Sequence, residues 1–152
     1  MRPALEWKRE ADRFRLSGRI DEYADLGPLA EALPQSATLD LSGLTRINSI
    51  GVREWMDFVA TFGEKVVRLE RCAPVFVDQL NTIANFAGSA EVTSVLCEYE
   101  CEHDSALALV QVDVSAARQG EYATPPSCAR CGSVMTAAVE NKTFFRFVRY
   151  AR

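Results

Sequence analysis

The stretch Asp40-Leu41-Ser42-Gly43-Leu44-Thr45-Arg46-Ile47-Asn48-Ser49-Ile50-Gly51-Val52 decides the fold of this chain. The residues around its start, Thr38-Leu39-Asp40-Leu41, are too few for a helix and apolar enough for a buried strand, which we expect Ser42-Gly43 to end. Further on, apolar residues recur at the spacing of one helix face until Gly63, namely Val52, Trp55, Met56, Val59 and Phe62. A buried strand followed by an amphipathic helix indicates an α/β layer.

The same alternation of strand and helix continues on both sides of this stretch. Upstream, the predicted strands contain Leu5, Trp7, Phe14 and Leu16, and a short helical pattern with Leu26, Leu29, Ala30 and Leu33 stops at Pro34. Downstream lie a strand at Val66-Val67-Arg68-Leu69, a helix that begins at Pro74 and carries Phe76, Leu80, Ile83 and Ala84, and a last strand at residues 92–96. We therefore predict a small α/β sheet with helices over residues 1–96.

The composition is that of an ordinary globular protein, with 48% hydrophobic and 25% charged residues among 152. The charged opening MRPALEWKREADRFR lacks the apolar core of a signal peptide, and no run approaches the roughly 18 apolar residues of a membrane span. We therefore expect a cytoplasmic protein that does not act on a membrane. The net charge of −4 argues against a protein whose main role is to neutralise nucleic-acid phosphates.

Residues 40–52 resemble the signature of STAS domains, the fold of bacterial anti-sigma factor antagonists. In that family a buried strand ends in an acidic residue, and a short loop leads to an Asp-Ser-x-Gly turn that opens a helix. Two other landmarks are similar, the run Leu16-Ser17-Gly18-Arg19-Ile20-Asp21 and the late strand that leads to Pro74. The resemblance implies a regulatory module of partner-switching signal transduction, whose protein partner is an anti-sigma factor or a related serine kinase.

The resemblance also places functional residues on this sequence. It puts the serine that a partner kinase phosphorylates at Ser49, and the partner-binding surface at Asn48, Ser49, Ile50, Gly51 and Arg53. The chain departs from the family at Asn48, where an Asp is usual, and at Ile50, where a small hydroxyl residue is common.

The chemistry of a helix start supports a switch at this serine. A hydroxyl there lies beside free backbone N–H groups and the positive end of the helix dipole, which would accommodate a phosphate. The phosphate would add about −1.5 to −2 charge to the docking surface. The alternative is that Ser49 only caps the helix, a contribution of about 1 kcal/mol.

Four cysteines after residue 96 are spaced like metal ligands. Cys97-x3-Cys101 and Cys128-x2-Cys131 are two short-spaced pairs separated by 26 residues, and Gly132 permits a tight turn after the second. In a reducing cytoplasm such pairs indicate metal ligands rather than disulfides. We predict a small β-rich zinc ribbon over residues 97–152, with a structural zinc bound by Cys97, Cys101, Cys128 and Cys131.

Three further interpretations concern the histidine and individual cysteines of the chain. His103 could replace one thiol as a ligand, although an exposed bystander is the simpler interpretation. Cys72 lies far from both pairs, and we expect it to pack as a small buried apolar residue. Cys128 and Cys131 could form a redox pair, but such a motif should follow a strand and open a helix, and here Pro125-Pro126-Ser127 precedes it.

The sequence offers no catalytic constellation. A hydrolase needs a nucleophile, a base and an orienting group, and the chain has one histidine. We therefore predict that it is not an enzyme. The competing function is nucleic-acid binding through the ribbon, because a predicted C-terminal strand, Thr143-Phe144-Phe145-Arg146-Phe147-Val148-Arg149-Tyr150, mixes aromatic and positively charged residues, with Lys142 and Arg152 beside it. The alternative for the same strand is a structural edge whose arginines discourage aggregation.

Overall fold

The computed structural model describes residues 4–149, and the first part of the chain forms a five-stranded mixed sheet. Its strands are β1 (Leu5–Glu10), β2 (Arg13–Ile20), β3 (Ser36–Ile47), β4 (Val66–Glu70) and β5 (Glu91–Val92), in the order β1-β2-β3-β4-β5. The hairpin β1–β2 is antiparallel, and the other neighbours are parallel. Helices connect the parallel strands: α1 (Gly27–Ala32), α2 (Ser49–Ala60) and α3 (Pro74–Thr82).

A second, smaller sheet follows. It consists of β6 (Ser94–Glu100), β7 (Leu107–Asp113) and β8 (Thr136–Ala137), in the antiparallel order β7-β6-β8. Three short helical segments complete this region: α4 (Val114–Arg118), α5 (Asn141–Phe144) and a 3-10 helix at Arg146–Arg149. A mixed α/β sheet with helices, followed by a small β-rich sheet, confirms the predicted fold class.

The prediction that Ser42-Gly43 ends the central strand is wrong. β3 runs on to Ile47 and stays paired with β2 up to Ile20, although the register shifts within the pair. A Cβ on Gly43 would lie 2.7 Å from the carbonyl oxygen of Leu16. The glycine therefore lets β2 approach closely inside the sheet instead of breaking the strand.

The predicted C-terminal strand is also wrong, because residues 141–149 form α5 and the 3-10 helix. Phe144 and Phe145 are adjacent and both buried, at 6% and 5% exposure. A strand would place neighbouring side chains on opposite faces, whereas a helical turn allows both to reach the core. Tyr150 and Arg152, which belonged to the same prediction, lie outside the described residues.

The predicted boundary after Leu96 falls inside β6. One continuous core of buried residues runs from the first sheet to Phe147, and Val95 forms a parallel bridge with Cys72, two residues after β4. Cys72 is fully buried, as expected, and burial raises the pKa of its thiol far above the usual value. The two sheets thus share a core across residue 96.

The packing of α2 fixes the position of its first turn. Trp55 is fully buried and its indole N–H donates to the carbonyl of Phe86 at 2.9 Å. At the start of the helix, a Cβ on Gly51 would lie 1.7 Å from the carbonyl oxygen of Ile20, so only glycine allows α2 to approach β2 so closely. Among residues 4–149, no helix is long and apolar enough to cross a membrane.

Candidate functional site

The first turn of α2 is held by its capping residue. Asn48 has an extended backbone, and its side-chain oxygen accepts a hydrogen bond of 2.8 Å from the N–H of Gly51. Asn48 is therefore the N-cap, and Ser49 is the first residue of the helix. The alternative in which Ser49 serves only as the cap is wrong, because Asn48 has that role.

The predicted partner-binding residues differ in how much of each side chain is exposed to solvent. Ser49 and Arg53 are exposed, Ile50 is 48% exposed, and Asn48 is half-buried. Gly51 is buried against the carbonyl of Ile20 and cannot contact a partner directly. Its contribution is to bring the start of α2 close to β2.

The loop after β2 borders the same turn and adds an aromatic side chain. The side-chain amide of Asn48 donates to the Glu22 carboxylate at 2.7 Å, and this hydrogen bond lowers the pKa of Glu22. The neighbouring Tyr23 is 76% exposed. We call Tyr23, Asn48, Ser49, Ile50 and Arg53 the α2 entry surface.

A second candidate site lies in the loops beside β6 and β7. Potential ligand atoms of Cys101, Asp104, Cys128 and Cys131 all lie within 4.8 Å of one another. The sulfurs of Cys101 and Cys131 are 3.5 Å apart, and that of Cys128 is 3.4 Å from a carboxylate oxygen of Asp104. Thiolates bound tetrahedrally to zinc lie about 3.8 Å apart, given Zn–S bonds of about 2.3 Å. Three thiols and a carboxylate at these separations can hold a metal ion.

Tight backbone turns position both halves of this cluster. At the second pair, the N–H of Gly132 donates to the carbonyl of Cys128 at 2.9 Å, and Gly132 has a positive φ of 77°. At the first, the N–H of Ser105 donates to the carbonyl of Cys101 at 2.9 Å. The N–H of Ala106 donates to Asp104 at 3.0 Å and is the main reason that the pKa of this carboxyl lies below its usual value. A carboxyl that ionises more readily than usual suits a metal ligand.

Cys97, a predicted ligand, is not part of the cluster. It lies within β6 opposite Val110 and is 5% exposed. Four residues of extended strand span about 13 Å, so Cys97 and Cys101 are too far apart to share one ion. Burial raises the pKa of the Cys97 thiol to about 11. Asp104 supplies the fourth potential ligand instead of Cys97. The prediction from the sequence includes only cysteine and histidine as ligands and therefore omits Asp104.

A spacing signal for Asp104 is present in the sequence. Cys101-x2-Asp104 has the same two-residue gap as Cys128-x2-Cys131, whereas Cys97-x3-Cys101 has three. His103, within the first gap, is exposed and does not join the cluster. Cys128 and Cys131 lie in a turn between the bridged residues Ser127 and Val134 and open no helix, contrary to the redox-pair alternative.

Within the described part of the C-terminal segment, the three phenylalanines are not available for base stacking. Phe144, Phe145 and Phe147 are at most 6% exposed and pack among other buried side chains. Lys142, Arg146 and Arg149 are exposed. The described part of this segment therefore offers positive charge without the stacking surface that single-strand binding requires.

In comparisons with protein-family models, curated proteins and solved structures, nothing matches this chain.

Proposed function

We propose that this chain is a regulatory protein-binding module that docks a partner through the α2 entry surface. The observation that carries the proposal is the exposure of Ser49 in the first turn of a rigidly packed helix, with the exposed Tyr23 and Ile50 nearby. An accessible hydroxyl at that point can be modified, and two exposed apolar side chains can anchor a partner.

The α2 entry surface has the composition of a docking site. Tyr23 is 76% and Ile50 is 48% exposed, and the loop and helix turn that carry them also contribute polar groups of Asn48, Glu22 and Arg53. Protein interfaces commonly combine apolar or aromatic anchors with a polar rim. Because the buried Gly51 and Trp55 fix the helix against the sheet, the surface is presented without reordering the backbone.

A phosphate on Ser49 would change this surface by charge alone. The first turn of α2 has free N–H groups that favour an anion, so the modified helix stays folded. The phosphate adds about −1.5 to −2 charge beside the carboxylate of Glu22. A partner that docks on Tyr23 and Ile50 would then meet a hydrated dianion and be released.

The resemblance of residues 40–52 to anti-sigma factor antagonists suggests the partner class. It favours an anti-sigma factor or a related serine kinase in a bacterial cytoplasm, where the five thiols of this chain stay free. In this proposal the partner supplies the kinase activity, and the chain itself is not an enzyme.

Affinity capture from the native host with defined variants tests this function. Wild type and Ser49→Ala should capture the same partner, and Ser49→Asp should lose it because the carboxylate introduces charge at the helix start. Ser115→Asp is the matched control, since Ser115 is exposed in the first turn of α4, away from the α2 entry surface. Equal capture by Ser49→Ala and Ser49→Asp would contradict the switch.

We also propose that the metal is a structural zinc bound by Cys101, Asp104, Cys128 and Cys131. Zinc accepts thiolate and carboxylate ligands in tetrahedral geometry, and four protein ligands leave no open position for catalysis. The ion would join the β6–β7 turn to the Cys128 turn, which are far apart in the chain. The region after residue 96 is short for a self-sufficient core, so this link would matter for folding.

Elemental analysis of the purified chain tests this ligand set. Wild type and Cys97→Ser should retain one zinc per chain, whereas Cys101→Ser and Asp104→Ala should lose it or bind it much more weakly. Zinc loss in Cys97→Ser with retention in Asp104→Ala would restore the four-cysteine set and overturn this assignment.

A further inference from the structure

The β6–β7 hairpin exposes apolar side chains on the face that points away from the core. Leu107 is 63% and Leu109 is 51% exposed, while Val112 further along the same strand is buried. Side chains of a strand alternate between faces, so the two leucines lie on one face and the half-buried Ala108 and Val110 on the other. Two neighbouring exposed leucines form a stripe that a partner can cover.

Carboxylates flank this stripe. In the β6–β7 register, Glu100 is opposite Leu107 and Glu98 is opposite Leu109, so all four side chains share a face. Among residues 4–149, neither Glu98 nor Glu100 forms a salt bridge. The surrounding sequence is acidic as well, because residues 91–121 contain seven carboxylates and one arginine. The electrostatic potential around the two leucines is therefore negative.

The strand that carries the leucines is an edge. β7 is the outermost strand of the order β7-β6-β8, and in the described part of the chain its backbone pairs only with β6. An edge strand directs a row of free N–H and C=O groups outward and can template a further strand. β7 has neither a proline nor a lysine, the residues that commonly protect such an edge.

We propose that the β7 edge binds an extended segment of a partner protein that carries apolar residues and lysine or arginine at every second position, on one face of the added strand. The backbone of the segment would extend the sheet, its apolar side chains would cover Leu107 and Leu109, and its cationic groups would neutralise Glu98 and Glu100. A second copy of this chain fits less well, since pairing two β7 edges would bring two acidic hairpins together. Nucleic acid is repelled by the same charge.

This surface is separate from the α2 entry surface, so the chain would have two docking sites. The β7 edge belongs to the second sheet, whereas Ser49 lies at the start of a helix that packs on the first. The two proposals can fail independently. A variant at Ser49 should leave binding at β7 unchanged, and variants at β7 should leave the Ser49 switch unchanged.

Nuclear magnetic resonance of the full chain tests the proposal with a synthetic peptide in which every second residue is valine or lysine in turn and the residues between them are threonine. Saturable binding should shift the amide signals of residues 107–113 most strongly, and the same peptide with glutamate in place of lysine should not bind. Leu107→Ser with Leu109→Ser should weaken binding about tenfold or more. Val66→Ser is the matched control, because Val66 is 49% exposed at the start of β4, in the other sheet.

The spectrum of the double variant also shows whether it is folded, and both leucines are exposed enough that the fold should persist. Equal binding of the two peptides, or largest shifts away from β7, would overturn the proposal. So would the absence of binding by a folded wild type. Concentration-dependent shifts at β7 without peptide would identify a second copy as the occupant instead.

Discussion

The two sheets of this molecule are stabilised in part by different means. In the first, α2 and α3 bury large aromatic rings, and the centroid of Trp55 lies 5.3 Å from that of Phe58 and 5.1 Å from that of Phe76. The second region also buries aromatic rings, and the centroid of Phe145 lies 4.9 Å from that of Tyr122 and 5.0 Å from that of Phe144, but three thiols and a carboxylate meet in its loops and β7 leaves two leucines exposed. Apolar burial stabilises both regions, and in the second a group of potential metal ligands adds a link between loops that are distant in the chain.

Metal removal should produce the largest difference in stability between the two sheets. Bound zinc contributes about 10–16 kcal/mol of apparent binding free energy to comparable peptides, so chelation should unfold the second sheet. Hydrogen exchange should then lose protection across β6–β8 but retain it in β2–β4. The fluorescence of Trp7 and Trp55, which belong to β1 and α2, should stay native-like.

The same experiment on Cys101→Ser without chelator should reproduce the loss, and Cys97→Ser should behave as wild type apart from the missing buried thiol. Protection that persists in β6–β8 after complete chelation would show that apolar packing alone maintains the second sheet.

Gly51→Ala should destabilise the first region. The added Cβ would lie 1.7 Å from the carbonyl oxygen of Ile20, so α2 must move away from β2. We expect a loss of about 3 kcal/mol in the free energy of unfolding, at the upper end of the cost of overpacking. Urea unfolding followed by tryptophan fluorescence measures it. Arg53→Ala, at an exposed position of the same helix, should change stability by less than about 0.5 kcal/mol, and an equal loss in both variants would contradict the close approach.

Asp40 should make the first sheet sensitive to acid. It is buried in β3 and lies 3.3 Å from Arg13 and 3.8 Å from Arg71. Burial alone would raise its pKa, but the N–H of Ser42 and the two guanidinium groups outweigh burial and hold the pKa below its usual value. The stability that Asp40 contributes is therefore present above the unfolded pKa of about 3.9 and is lost as the pH falls through the lower folded value.

Asp40→Asn should accordingly cost about 2 kcal/mol near pH 7, since it removes hydrogen bonds to a charged group. Chemical unfolding at a series of pH values should show the difference from wild type shrinking below about pH 4. A difference that stays constant down to pH 2 would mean that the charge of Asp40 does not stabilise the fold.

Asn48→Ala should have a smaller effect on stability than Gly51→Ala or Asp40→Asn, about 1 kcal/mol, because the cap hydrogen bond from the N–H of Gly51 and the exposed hydrogen bond to Glu22 are lost. Asn48→Asp combined with Glu22→Gln is the matched control, since aspartate keeps the cap acceptor, the glutamine avoids two adjacent carboxylates, and most of the stability should be restored. Thermal unfolding of the three proteins measures this order. An alanine variant as stable as wild type would show that packing of Gly51 and Trp55 positions the helix start without the cap.

The sequence predicts the first region well because apolar periodicity determines it. The repeat from Val52 to Phe62 places Trp55 and Val59 in the core, and the structure confirms this. The continuation of β3 through Ser42-Gly43 was missed, because a glycine that permits close strand packing resembles one that ends a strand. That distinction depends on the neighbouring strand, which local sequence does not reveal.

The second region was predicted less well because tertiary contacts determine it. Three of the four proposed cysteines meet, but the extended conformation of β6 separates Cys97 from them, and Asp104 occupies its place. The helical segments of residues 141–149 differ from the predicted strand because Phe144, Phe145 and Phe147 give no clear period. Only the core that they enter decides between helix and strand.

The most direct test of the proposed function is the phosphate content of Ser49 in two pools of the native protein. Mass spectrometry should find Ser49 unmodified in the protein that is purified in complex with its partner, and phosphate on Ser49 in the free pool. The same phosphate content in both pools, or a stable complex of the phosphorylated chain, would contradict a switch at the start of α2.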